Sequence, residues 1–102
     1  MIVTVFRLRL SEDPAIQAEY LRWAQQLNEI VPTLPGYVSH KRFTADDGER
    51  CTIVEFADME SLDAWSRHPV HLQAKELGRN RFFVDYDIKV ASVLRTLKKA
   101  TQ

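Results

Sequence analysis

The stretch AWSRHPVHLQAKELGRNRFF, Ala64 to Phe83, brings together a tryptophan, two histidines and the Arg79/Arg81 pair, side chains suited to moving a proton and holding an anionic oxygen. Imidazole titrates near neutrality, so His71 is a candidate general base; the alternative is an ordinary surface or core histidine. Trp65 follows Met59 by six residues and Leu62 by three, on the apolar side of an expected helix. It should be buried, either as core filler or as the wall of a pocket whose ligand oxygen meets the indole N–H. Arg79 and Arg81 flank Asn80 just past Gly78. They either neutralise a helix C-terminus and pair with Asp85 and Asp87, or turn one guanidinium inward onto an anion. His68, beside Pro69, reads as a helix cap. His40 and Arg42 should share one face of a strand, as pocket or interface residues.

His68 and His71 do not make a metal site. Zinc needs a third and usually a fourth ligand, and the chain has one cysteine and no helical H-x-x-x-H, so no metal is expected. A Gly-rich phosphate loop, a G-x-S-x-G elbow and a C-x-x-C pair are also missing, and no cofactor is expected.

Residues 2–10 alternate, with Ile2, Phe6, Leu8 and Leu10 on one face and Val3, Val5, Arg7 and Arg9 on the other, the period of a half-buried strand. Asp13-Pro14 starts a helix, and Ile16, Tyr20, Trp23, Ala24, Leu27 and Val31 continue it at helical spacing until Pro32 and Leu34–Gly36. Tyr37–Ala45 and Arg50–Ala57 form an expected hairpin around Asp47-Gly48. Asp58 caps a short helix, Pro69 opens another, and Gly78 is expected to end it. The last segment, Arg81 to Thr96, alternates for longer than a strand usually runs. Phe82, Val84, Tyr86, Ile88, Val90 and Leu94 fall on one side, and Phe83, Asp85, Asp87, Lys89 and Arg95 on the other. Either a bulge divides it, or its end adds to a partner's sheet. The order strand, helix, strand, strand, helix, strand is the split β-α-β arrangement of an α+β, ferredoxin-like fold with a four-stranded antiparallel sheet. Helices cover one face of such a sheet, and a second copy of the chain would most simply cover the other.

The 102 residues suit one domain, expected over 1–96 with a tail at 97–102. Fourteen basic and fourteen acidic residues, interspersed, cancel to a formal charge of zero, which argues against nucleic acid and anionic membranes as partners. The opening MIVTVFRLRL carries arginines where a signal peptide needs apolar residues, and the lone Cys51 suits a reducing cytoplasm.

From Gly36 to Phe83, with the run AW, HP, H and GR from Ala64 to Arg79, the chain resembles the antibiotic biosynthesis monooxygenase (ABM) domain family of the dimeric α/β barrel superfamily. The resemblance implies a homodimer of ferredoxin-like domains whose sheets form a barrel, with the long last strand reaching across. It implies oxidation of a small aromatic phenol, hydroquinone or anthrone by O2 without metal or flavin, with Trp65, His71, Arg79 and Arg81 as catalytic candidates and Ser61, His68, His40 and Phe83 along the substrate pocket. Trp65 matches the family's tryptophan. In the quinone-forming branch an asparagine stands four residues before it and a tyrosine six after, where this chain has Ser61 and His71. The haem-degrading branch expects an iron-binding histidine at Lys75 and an asparagine at Phe6. A protonated lysine ligates haem poorly, so that reading loses its key ligand. A non-catalytic binder or sensor of a small aromatic metabolite on the same dimer is the remaining alternative.

Overall fold

The computed structural model describes residues 1–99; the last three residues of the expected tail lie outside it. β1 spans Ile2–Leu10 and stops at Ser11. α1, Pro14–Ile30, starts where Asp13 Oδ1 accepts the N–H of Ala15 at 2.8 Å and Pro14 needs no partner for its nitrogen. A 3₁₀ turn, Val31–Thr33, closes it and leads to Gly36, whose φ of +79° turns the chain into β2, Tyr37–Thr44. β3 is Arg50–Phe56. The hairpin between them closes on the Ala45 N–H to Glu49 carbonyl bond at 2.8 Å, with Gly48 at φ +88°, a three-residue loop ending in a left-handed glycine.

Two short helices follow. α2, Met59–Ser66, is capped by Asp58, whose carboxylate accepts the Ser61 N–H at 2.8 Å, and α3, Pro69–Leu77, by His68 Nδ1 on the Val70 N–H at 3.2 Å. The break at His68-Pro69 is therefore real and doubly sealed, because Lys75 Nζ reaches back to the Ser66 carbonyl at 2.9 Å. Gly78 caps the end of α3 as expected, but it stays right-handed and opens a π turn, Gly78–Phe82, before β4, Phe83–Ser92. Its role is space. A Cβ there would lie 2.4 Å from the Phe83 ring.

The sheet order is β2-β3-β1-β4, every pairing antiparallel, with all three helices on one face. This is the ferredoxin-like α+β fold. Ile2, Phe56, Val31, Leu62 and Trp65 form the core between the layers, with Leu8 and Phe82 buried beside them. β4 departs from simple alternation. Its ladder with β1 shifts where Leu10 meets Phe83 and Arg9 meets Asp85, which leaves Val84 unpaired and 70% exposed. Phe83 thus joins Tyr86 and Ile88 on the helix side, not Asp85 and Asp87 on the other. Within this chain β4 ends at Ser92, short of Thr96. The face without helices carries Val3, Val5, Cys51 and Ile53, half-buried, beside Arg7 and Arg9, which pair with Glu49 at 2.8 Å and Asp47 at 2.7 Å. No helix among the described residues is long and apolar enough to cross a membrane.

Candidate functional site

Between the helices and the sheet lies a cavity of about 360 Å³, the size range of small-molecule sites. Alternation along the strands places Thr4 and Phe6 of β1, His40 and Arg42 of β2, Thr52, Val54 and Phe56 of β3, and Tyr86 and Ile88 of β4 on its floor. Its roof is Tyr20, Trp23, Leu27 and Asn28 of α1, Leu62 and Trp65 of α2, and His71, Ala74 and Lys75 of α3. The π turn contributes Arg79 and Phe82, and Phe83 closes that end with its ring 5.4 Å from Phe6, 6.1 Å from Tyr20 and 5.8 Å from Tyr86.

Trp65 is 6% exposed and stacks on His71, ring centroids 4.3 Å apart and planes 16° from parallel. The break between α2 and α3 makes this possible, folding His71 back over the turn that precedes it. His71 Nδ1 lies 3.0 Å from the Trp65 carbonyl. A carbonyl only accepts, so Nδ1 carries the proton and donates it, and Nε2 of the neutral ring is left as an acceptor. Burial outweighs that hydrogen bond and pushes the imidazole down to about 4 from its ordinary 6.5. At neutral pH His71 is uncharged and a weak base.

A second imidazole meets the same space from the floor. His40 Nδ1 is 2.7 Å from the Tyr37 hydroxyl, and burial, then the neighbouring Arg42, holds its pKa below the ordinary value. The Lys75 ammonium is likewise pushed below the usual lysine range, by burial first and then by Arg79 one turn further on. Thr4 Oγ1 is buried on the floor with no hydrogen-bond partner, an acceptor and donor waiting for a ligand or water.

Of the residues singled out in the sequence, the structure brings Trp65, His71, Arg79, His40 and Phe83 to this cavity and leaves three outside its lining. Arg81 points out of the π turn to Glu19, at 2.7 Å, rather than to the cavity or to Asp85 and Asp87. His68 spends its ring nitrogen on the α3 cap. Ser61 sits over Gly36, where a Cβ would come within 2.0 Å of its hydroxyl. Sequence reasoning missed Thr4, Tyr20, Trp23, Asn28, Thr52 and Lys75 as lining residues. Lys75 was readable, since it lies one helical turn past His71 and so shares its face. Among the described residues no three His, Cys, Asp or Glu side chains gather as a metal site would need.

Fold and cavity together define a ferredoxin-like domain with a cavity of small-molecule size between its layers. The chain belongs to the antibiotic biosynthesis monooxygenase family, whose model matches residues 1–77. It is similar to the uncharacterized protein YqjZ of Bacillus subtilis (strain 168), 28% identical over 76 residues, 74% of this chain and 67% of that protein. Its fold is similar to that of SnoaB, a cofactor-independent oxygenase from Streptomyces nogalater, with a TM-score of 0.77 at 16% identity over 96% of this chain and 97% of SnoaB. Rv0793 from Mycobacterium tuberculosis superposes with a TM-score of 0.81 at 13% identity, covering 95% and 98% of the two chains.

Proposed function

We propose that the protein is a monooxygenase that uses neither metal nor flavin and oxidises a small aromatic phenol, hydroquinone or anthrone with O2. The observation that carries this reading is the stacked Trp65–His71 pair in the wall of an apolar cavity. A substrate hydroxyl donates to His71 Nε2, and as its proton leaves, the oxyanion is held by Arg79, which unlike Arg81 reaches the cavity. The electron-rich ring then reduces O2 itself: an anthrone methylene and O2 give a carbonyl and water. The apolar walls exclude bulk water from that step.

Oxygen uptake with a panel of anthrones and hydroquinones tests the reading. Uptake is expected above the spontaneous rate and should fall about tenfold or more in Trp65→Phe, which loses the stacked indole. No uptake by a folded protein that still binds these molecules would move the assignment to a binding or sensing module, a reading that the weak basicity of His71 favours.

We also infer that the working unit is a homodimer in the cytoplasm. The sheet face without helices exposes part of Val3, Val5 and Ile53. Such surface is covered most simply by a second copy. The unpaired Cys51 suits a reducing compartment. Sedimentation equilibrium at micromolar concentration should return twice the chain mass, and a monomer there would sink the dimer.

A further inference from the structure

The charges of this chain balance, fourteen against fourteen, yet they do not balance in the cavity. Its lining holds three cations, Arg42, Lys75 and Arg79, and no Asp or Glu among the described residues. The arginines that pair with carboxylates, Arg7, Arg9 and Arg81, lie outside it, while Arg42 and Arg79 have no carboxylate within ion-pair distance among the described residues. Lys75 and Arg79 are one helical turn apart, a like-charge spacing that costs stability unless an anion sits between them. Lys75 spends one of its three N–H donors on the Ser66 carbonyl and has two left.

We propose that the cavity selects aromatic substrates that carry a carboxylate, seated at Lys75 and Arg79, with the flat ring lying against Trp65 and Phe83. This rests on the cavity being the substrate site of the proposed oxygenase and adds the substrate's charge to it. A compact inorganic anion does not fit the observations as well, because it would leave the aromatic walls facing water. The arginine has five N–H donors, enough for a carboxylate oxygen on one edge and the substrate's phenolic oxyanion on another, and the lysine supplies a second charge. Lys75 is half-buried and Arg79 exposed at the cavity's edge, so added salt should reach both. An orphan hydroxyl on the floor, Thr4 Oγ1, remains for a ring oxygen of the same ligand.

The test separates charge from shape. Calorimetric titration of the native protein with 2-naphthoate and with neutral 2-naphthamide compares ligands of nearly the same size that cannot turn over. The carboxylate is expected to bind at least tenfold more tightly at low ionic strength, with the margin narrowing as salt is added. In Lys75→Gln/Arg79→Gln the preference should fall below threefold, chiefly through loss of naphthoate affinity. Equal affinity for the two ligands in the native protein, or a preference that survives in the double variant, overturns the proposal. Neither result depends on oxygen chemistry. A protein that prefers naphthoate but consumes no O2 with any quinol loses the oxygenase reading alone, and one that oxidises quinols without the preference loses the carboxylate site alone.

Discussion

Phe56→Ala should lower the free energy of unfolding by about 3–5 kcal/mol, enough to leave a domain of this size barely folded at 37 °C. Phe56 is 0% exposed at the end of β3, pairs with Ile2 and Tyr37 on the neighbouring strands, and meets the Tyr37 ring edge-on at 6.4 Å. Val31, Leu62 and Trp65 close over it from the helix layer. Removing the ring opens a void that every one of these elements borders, and strands paired on both sides cannot collapse into it. The energetic cost is therefore the lost transfer free energy plus the cavity. Urea unfolding at fixed protein concentration measures it, with Phe56→Leu as a milder companion expected to cost less than about half as much. A loss under about 1 kcal/mol for the alanine variant would show that this residue is not central to the core. Since Phe56 also lines the cavity floor, a destabilised variant should lose ligand binding as well.

His71→Ala should reduce oxygen consumption about a hundredfold, the lower end of what a positioned proton acceptor contributes. In the proposed reaction the acceptor is weak and its contribution is geometric: Nδ1 is fixed on the Trp65 carbonyl, so Nε2 is bare throughout the neutral range. The same burial has a consequence for stability. Because the folded-state imidazole titrates near 4 and the unfolded one near 6.5, the unfolded chain binds an extra proton between those values. The stability associated with the neutral ring is fully present above pH 6.5 and drains away as pH falls towards 4, by up to about 3 kcal/mol. Carboxylates titrate in the same window, so the comparison that isolates His71 is the native protein against His71→Gln, unfolded by urea at pH 7.5 and at pH 4.5. The variant should lose distinctly less stability on acidification. Equal losses would mean that the imidazole is not buried and neutral.

Much of this architecture was legible before the structure. Asp13-Pro14, Asp58 and His68-Pro69 are helix starts whose capping chemistry is local, and the structure uses each of them. Strand alternation placed His40 and Arg42 on one face, and both reach the cavity. The failures share a cause. Gly78 does stop α3, but not by the left-handed cap that glycine often supplies: what holds it here is the ring of Phe83, brought up by the turn that follows. Strict alternation carried through Phe83 put that residue with Asp85, because a bulge depends on the partner strand and leaves no mark in a period-two pattern. Which arginine faces inward was equally undetermined: Arg79 and Arg81 differ only in where a π turn points them, and Glu19, sixty-two residues away in sequence, claims one. Trp23 and Tyr20 were read only as apolar positions at helical spacing, and they border a cavity because the two layers do not close completely over Thr4 and Thr52.

The bulge at Val84 also bears on how this fold can change its ligand. Arg9 and Arg7 stand opposite Asp85 and Asp87 on the outer face, and Leu8 and Phe6 stand opposite Tyr86 and Ile88 inside. If the ladder slipped by one residue and took Val84 into register, the assignment would reverse, and both acids would turn towards Lys75 and Arg79. The cavity would gain two carboxylates, and Lys89 with them, beside its three cations without any side chain being replaced. A single inserted or deleted residue in β4 is thus an evolutionary step of a kind that point substitution does not offer, one that changes the polarity of the cavity while leaving the composition of the strand almost intact.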